Sequence, residues 1–164
     1  MKNEFLYNTP VGQLLLQSNG VEITSILFKD EISGMHKPST NTHNLIIENC
    51  IHQLQAYFNG DLKIFTIPIQ QQGTEFQQTV WQALTTIPYG KTMSYLQLSK
   101  QINNPKAIRA VGTTNGKNKL SIIVPCHRVI GSNGSLTGYS GGLWRKNWLL
   151  AHESKYGNGV ATLF

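Results

Sequence analysis

Cys126 and His127 are the adjacent pair best suited to nucleophilic chemistry, and they lie in the stretch SIIVPCHRVIG, residues 121–131. A free thiol is only a few per cent ionised near neutral pH, so a nucleophilic cysteine needs a base or a positive charge beside it. His127 and Arg128 offer both. Neighbours on an extended chain point to opposite sides, so His127 reaches Cys126 only where the chain turns or through a water. Glu153, after LLAH, can orient His127 if its helix folds back, which would complete a Cys/His/Glu relay. The alternative is a buried structural thiol beside a surface histidine. A zinc site lacks ligands, because the chain has two cysteines and neither CxxC nor HxxxH spacing, so no metal is expected.

The elements around this pair follow from periodicity and punctuation. Ile122, Ile123 and Val124 form an apolar β-branched run, and Pro125 ends it because proline cannot donate to a ladder. Cys126 is therefore expected at the exit of a short strand. The glycines at 131, 134, 138, 141 and 142 predict a shaped loop, in which Tyr139 and Ser140 could offer a ring and a backbone N–H to a planar ligand. A flexible connector is the alternative. The helix that follows carries Trp144, Trp148, Leu149 and His152 as packing residues and is expected to end near Glu153. Upstream, Thr74 caps a helix with Phe76, Val80, Leu84 and Ile87 on one face, stopped by Pro88 and Gly90. Thr92 or Ser94 opens a second helix bearing Tyr95, Leu98 and Ile102. Asn104 and Pro105 mark a third start, PKAIRAVGTTNG. Two brief helices joined by a tight turn fit a helix-turn-helix and equally a generic helical hairpin.

The uncharged link at residues 70–73 separates this part from a small α/β lobe. The expected divisions are 1–72 for that lobe, 73–155 for the mostly helical domain and 156–164 for a tail. Within the lobe, turn signals at Asn8-Thr9-Pro10 and Ser18-Asn19-Gly20 separate antiparallel strands. A polar loop from Asp30 to Asn44 precedes a helix with Leu45, Ile46, Cys50, Ile51, Leu54 and Phe58 at helical spacing, stopped by Asn59-Gly60. Cys50 in that stripe reads as core. LKIFTIPI reads as a further strand.

Lys and Arg number 14 against 8 Asp and Glu, a formal net charge of +6. This favours a polyanionic partner, although a merely basic soluble protein has the same balance. Neither a long apolar leader segment nor a run able to cross a bilayer is present, so a soluble cytoplasmic protein with two reduced thiols is expected, with no membrane partner.

PCHRV, GYSGGLWRKNWLLAHE and GTEFQQTVWQALTTIPYGKTMSYLQLSKQINNPKAIRAVGTTNGKN, in that spacing, resemble the O6-alkylguanine-DNA alkyltransferases, also called methylated-DNA–protein-cysteine methyltransferases. The resemblance runs from Gly73 to Glu153 and implies a ribonuclease-H-like first lobe before a helix-turn-helix domain. It implies direct-reversal repair: one irreversible transfer of an alkyl group from O6 of a flipped guanine in duplex DNA to Cys126, with O4-alkylthymine as a further candidate substrate. No cofactor is implied, and the free protein is expected to be a monomer. By the same resemblance, His127 is the base through a water, Glu153 orients it, and Asn118 supports the turn that holds the cysteine. Tyr95 contacts the flipped guanine and crowds the adjacent phosphate. Arg109 fills the vacated stack, and Ala107, Ala110 and Gly112 permit close approach to the minor groove. Val129 and Ser140 give backbone contacts to the base, and Tyr139 walls the pocket. Lys119 stands where many relatives have proline, and Asn115 where a hydrophobic or small residue is common. Cys126 itself separates the chain from alkyltransferase-like proteins that only bind lesions. A cysteine hydrolase and a DNA-binding module without chemistry remain the competing classes.

Overall fold

A computed structural model describes residues 3–32 and 44–158. The chain divides into two compact units, Met1–Gln71 with Lys119–Ser121, and Gln72–Asn118 with Ile122–Phe164. The division is not a single cut in the sequence. Gln72 falls in the second unit, and three residues from far along the chain fall in the first.

In the first unit β1 (Asn3–Thr9), β2 (Gly12–Ser18) and β3 (Ile23–Phe28) form an antiparallel meander in that order. The first turn closes where Thr9 Oγ1 donates to the Gly12 carbonyl at 2.7 Å, with Gly12 at φ 105°. The second closes where Asn19 Oδ1 accepts from the Val21 and Glu22 amides, a use of asparagine that its short side chain makes local. Helix α1 (Leu45–Phe58) is capped by Asn44, whose side chain accepts from Ile46 and Ile47, and it buries Ile47, Cys50, Leu54 and Tyr57. Leu14, Leu16, Ile26 and Phe28 complete that core. Each such side chain contributes about 1.5–3 kcal/mol by leaving water.

One expectation changes here. Residues 62–69 do not form a strand; they touch β3 at a single parallel bridge, Ile23 to Ile69. Pro68 supplies only its carbonyl, to Ile23, and Thr66 N donates to the Gln53 side chain instead of a neighbouring strand. The polar loop after Asp30 lies outside the described residues from 33 to 43; before it, Lys29–Glu31 form a 3-10 turn. The free edge of β3 is also met by Lys119–Ser121: Ile26 N donates to the Lys119 carbonyl at 2.7 Å, and Ser121 N donates to the Ile26 carbonyl at 3.2 Å.

In the second unit, capping boxes start α2 (Glu75–Leu84) at Thr74 with Gln77 and α3 (Tyr95–Gln101) at Ser94 with Gln97. Helix α2 stops at Leu84, a turn before Pro88, so Ile87 is buried beyond the helix and not on it. Helix α4 (Ile108–Gly116) begins three residues later than Pro105 suggests. Asn104 N bonds back to the Ser99 carbonyl, and the Asn104 carbonyl accepts from Ala107 N, so Pro105 lies inside the connecting turn and Ala107 is the cap. Asn103, at φ 60°, makes that turn in the left-handed region asparagine tolerates.

Residues 121–124 are turns, not strand, with Ile122 at φ 75°, an unusual position for a β-branched residue. Strand β4 (Met93–Ser94) pairs in parallel with β5 (Val129–Ile130), two residues each, so Cys126 stands just before a short strand instead of leaving one. Helix α5 (Leu143–Asn158) runs past Glu153, so part of the expected tail is helical; residues 159–164 lie outside the described ones. No helix of the described residues is long and apolar enough to cross a membrane.

Candidate active site

Pro125 and Asn118 between them decide where the thiol of Cys126 sits. Pro125, at φ −82° and ψ 63°, makes a three-residue turn closed by Cys126 N donating to the Val124 carbonyl at 2.8 Å. Cys126, His127 and Arg128 then form one 3-10 turn, so the chain does bend at the point where His127 needs it to. Asn118, 4 % exposed, donates Nδ2 to the Val124 carbonyl at 2.9 Å and to Cys126 Sγ at 3.4 Å. One amide thus ties the turn and the sulfur together. Asn115, one turn earlier on α4, donates Nδ2 to the Cys126 carbonyl at 3.3 Å.

Glu153 comes from the middle of α5 and is fully buried. Its Oε2 lies 2.7 Å from His127 Nε2, its Oε1 accepts from Arg128 Nε at 2.7 Å, and its Oε2 also accepts from Arg128 Nη2 at 3.1 Å. Burial alone would raise the Glu153 carboxyl, but His127 and Arg128 outweigh it and hold the group well below the usual carboxylate range. The third guanidinium nitrogen of Arg128, Nη1, donates to the Ile87 carbonyl at 2.7 Å. The carboxylate is therefore clamped on one side by a fixed cation and turned on the other toward the imidazole. His127 Nδ1 is buried and has no hydrogen-bond partner among the described residues. It is the ring nitrogen left for exchange of a proton.

Tyr95 opens α3 and lies against α4, where a Cβ on Gly112 would stand 3.8 Å from the ring. Its hydroxyl donates to the Thr137 carbonyl at 3.2 Å, and burial raises its pKa above the usual phenol value, so it stays a neutral donor. Lys146, wholly buried on α5, donates Nζ to the same Thr137 carbonyl at 2.8 Å and to that of Gly138 at 3.2 Å. Burial lowers its pKa to about 8, with Cys126 opposing. The glycine loop is thus pinned from below at Thr137 and Gly138.

Cys126, His127, Glu153 and Asn118 come together in one buried cluster, and Tyr95 joins it through Asn115. Arg109 and Ala110 instead face solvent on α4, with Ala107 and Gly112 half-buried. Val129 is buried in β5, Tyr139 is half-buried and Ser140 exposed on the loop. Trp144 is not a packing residue: it is 56 % exposed, with the Arg145 guanidinium over its ring at 4.7 Å. Trp148 does pack, stacked on His152 with ring centroids 4.9 Å apart. Sequence reasoning missed Arg128 as a partner of Glu153 and Lys146 as a buried cation. The signal for Lys146 was there, since 146, 149, 150 and 153 recur at the spacing of one helix face whose leucines are buried. Among the described residues, no group of three or more His, Cys, Asp or Glu could hold a metal.

Residues 75–155 match the family described as "6-O-methylguanine DNA methyltransferase, DNA binding domain", and residues 4–71 match its "ribonuclease-like domain". The methylated-DNA–protein-cysteine methyltransferase of Mycolicibacterium paratuberculosis is 43% identical over 96% of this chain and 95% of its own, and that of Mycobacterium leprae 45% identical over the same shares. The crystal structure of Mycobacterium tuberculosis OGT in complex with DNA superposes with a TM-score of 0.86 at 43% identity, covering 94% of each chain. The chain belongs to the 6-O-methylguanine DNA methyltransferase family, with a ribonuclease-like domain before a helical DNA-binding domain.

Proposed function

We propose that this protein repairs O6-alkylguanine in duplex DNA by moving the alkyl group onto its own Cys126, once per molecule, with O4-alkylthymine as a further candidate substrate. The observation that carries this is a buried thiol held by Asn118 at the head of the same 3-10 turn that hands His127 and Arg128 to Glu153, in a member of this family. The Cys126 proton passes through one water to His127 Nδ1, and Glu153 steadies the resulting imidazolium. The thiolate then attacks the alkyl carbon in line. A carbon–sulfur bond forms, the carbon–oxygen bond breaks, its electron pair goes to O6, and His127 returns the proton to the purine. The products are guanine and a thioether. A thioether has no ready leaving group, so no second step restores the thiol.

The guanine reaches the sulfur only outside the base stack, at an unstacking cost of a few kcal/mol. Arg109, exposed on α4, fills the gap, while Ala107, Ala110 and Gly112 let the helix approach the minor groove. Tyr95 bears on the flipped nucleotide and its phosphate, Val129 and Ser140 supply backbone contacts to the base, and Tyr139 walls the pocket. Residues 1–72 act as the ribonuclease-H-like lobe and 73–155 as the acting domain, with 156–164 a tail, in a cytoplasmic monomer. Intact-mass measurement after mixing with an O6-methylguanine duplex tests the reading. A stable gain of one methyl, mapped to Cys126, is expected. Repeated turnover without a mass gain, or no methyl loss from DNA at all, overturns it.

A further inference from the structure

Arg128 is held on three sides, and two of them come from one short segment after α2. Its Nε and Nη2 fork Glu153, its Nη1 meets the Ile87 carbonyl at 2.7 Å, and the Tyr89 ring faces its guanidinium carbon with the ring centroid 5.7 Å away. A guanidinium at that distance from an aromatic face is attracted to it, the more so where water is excluded, and Arg128 is 6 % exposed. The segment is seated closely on α5. Gly90, at φ 79°, stands where a Cβ would lie 3.2 Å from the Glu153 carbonyl oxygen and 3.5 Å from the Gly157 Cα. A Cβ on Gly157 would in turn lie 3.2 Å from Tyr89 Cδ1 and 3.4 Å from the Gly90 Cα. Two glycines thus let the backbone beside Tyr89 rest on the part of α5 that carries Glu153.

Resting on the relay of the proposed function, we propose that Tyr89 is a positioning residue for it: the ring fixes the plane of Arg128, and Arg128 fixes the carboxylate that Glu153 turns toward His127. Glu153 Oε2 serves His127 Nε2 at 2.7 Å and Arg128 Nη2 at 3.1 Å at once, so a tilt of the guanidinium is passed on to the imidazole. A two-point fork transmits orientation as well as charge. The ring itself brings no charge, because burial, and then the Glu153 carboxylate, pushes its hydroxyl up to about 12. The charged and titratable groups acting on Tyr89 are Glu153, Arg128 and Tyr156. Those beside Cys126 are His127 in its own turn, Lys146 on α5 and Tyr95 on α3.

The test is the pH midpoint for iodoacetamide labelling of Cys126 in full-length Tyr89→Met, Tyr89→Leu and Tyr89→Phe, with the label assigned by peptide mapping. Without the ring, water reaches the Arg128–Glu153 pair and screens the hold of the carboxylate on the imidazolium. In the Met and Leu variants the midpoint should therefore rise by about half a unit, roughly a three-fold slower reaction at a fixed pH below it. Tyr89→Phe keeps the aromatic face and should keep the wild-type midpoint. In a Glu153→Gln background the shift caused by Tyr89→Met should shrink to less than half. A ring that only supported folding would lower the reactive fraction alike at every pH and leave the midpoint in place. A wild-type midpoint in a folded Met or Leu variant, a raised midpoint in Tyr89→Phe, or an undiminished shift in the Glu153→Gln background overturns the proposal. A wild-type midpoint in Glu153→Gln alone overturns the relay beneath it, a result distinguished by needing no change at Tyr89.

Discussion

Replacing Glu153 by Gln removes the buried carboxylate that faces His127 while keeping its size and an acceptor oxygen. Wild-type Glu153 makes 2.7 Å bonds to both His127 and Arg128. A hydrogen bond to a charged group is worth about 1.5–3 kcal/mol, and a pKa unit about 1.4 kcal/mol. Loss of the charge would therefore move the pH at which Cys126 becomes reactive upward by about 1–2 units. Arg128 remains, and its charge, no longer neutralised, helps hold a thiolate nearby, so the lower figure of about 1 unit is expected. At a fixed pH below the midpoint that is roughly a ten-fold slower reaction. Iodoacetamide, which needs no DNA, reports the midpoint directly, with peptide mapping to assign the label. Cys50 serves as an internal control, since burial pushes its thiol up to about 12. Breaking a buried pair costs about 3–5 kcal/mol, so a thermal melt must first establish that the variant is folded. A folded Glu153→Gln protein with the wild-type midpoint refutes the relay.

Three further outcomes are expected. Cys126→Ser should abolish methyl transfer and leave DNA binding intact, while Cys50→Ser, altering a core thiol, should keep transfer; intact mass and a gel-shift assay check both. Arg109→Ala should slow repair of duplex far more than reaction with free O6-benzylguanine, which needs no flipping, and equal slowing on both in single-turnover assays would remove Arg109 from the stack-filling role. The pH dependence of stability has a definite sign at two groups. Glu153, lowered in the fold, contributes stability that is present above its ordinary value of about 4.3 and lost as pH falls below it, so Glu153→Gln should flatten acid unfolding. Lys146, lowered to about 8, leaves the unfolded chain binding more protons from there up to about 10.4, so wild-type stability should rise across that window relative to Lys146→Met in denaturant titrations.

The chemistry was more legible in the sequence than the backbone that carries it. Cys126, His127 and Glu153 were readable as a possible relay from residue type and order, and the hairpin turns and capping residues Thr74 and Ser94 came from punctuation that is local by nature. The two misplaced strands share one cause. LKIFTIPI and SIIV are β-branched, apolar and short, and propensity cannot distinguish a strand from an extended or turning segment whose hydrogen bonds go elsewhere. In SIIV the backbone turns at Ile122, and the Val124 carbonyl is taken by Cys126 N and the Asn118 amide instead of a neighbouring strand. Asn104-Pro105 has the composition of a helix start, yet its carbonyl is taken by Ala107 N, a contact of the turn that composition does not report. Arg128 and Lys146 were hidden because a buried cation looks like any other charged residue until its carboxylate or carbonyl partners are known.

The pairing of Lys119–Ser121 with the outer edge of β3 bears on the order in which the chain can be completed during synthesis. Between Phe28 and Lys119 lie roughly ninety residues, and at about 5–20 residues per second the ribosome needs on the order of 5–20 s to make them. Throughout that interval the Ile26 amide and carbonyl, which Lys119 and Ser121 will later satisfy, face water on an apolar strand. An unpaired edge of that kind is a template for another chain. The nascent meander is therefore most exposed to mispairing in a crowded polysome, and slowing translation downstream of α1 should lower the soluble yield of this protein.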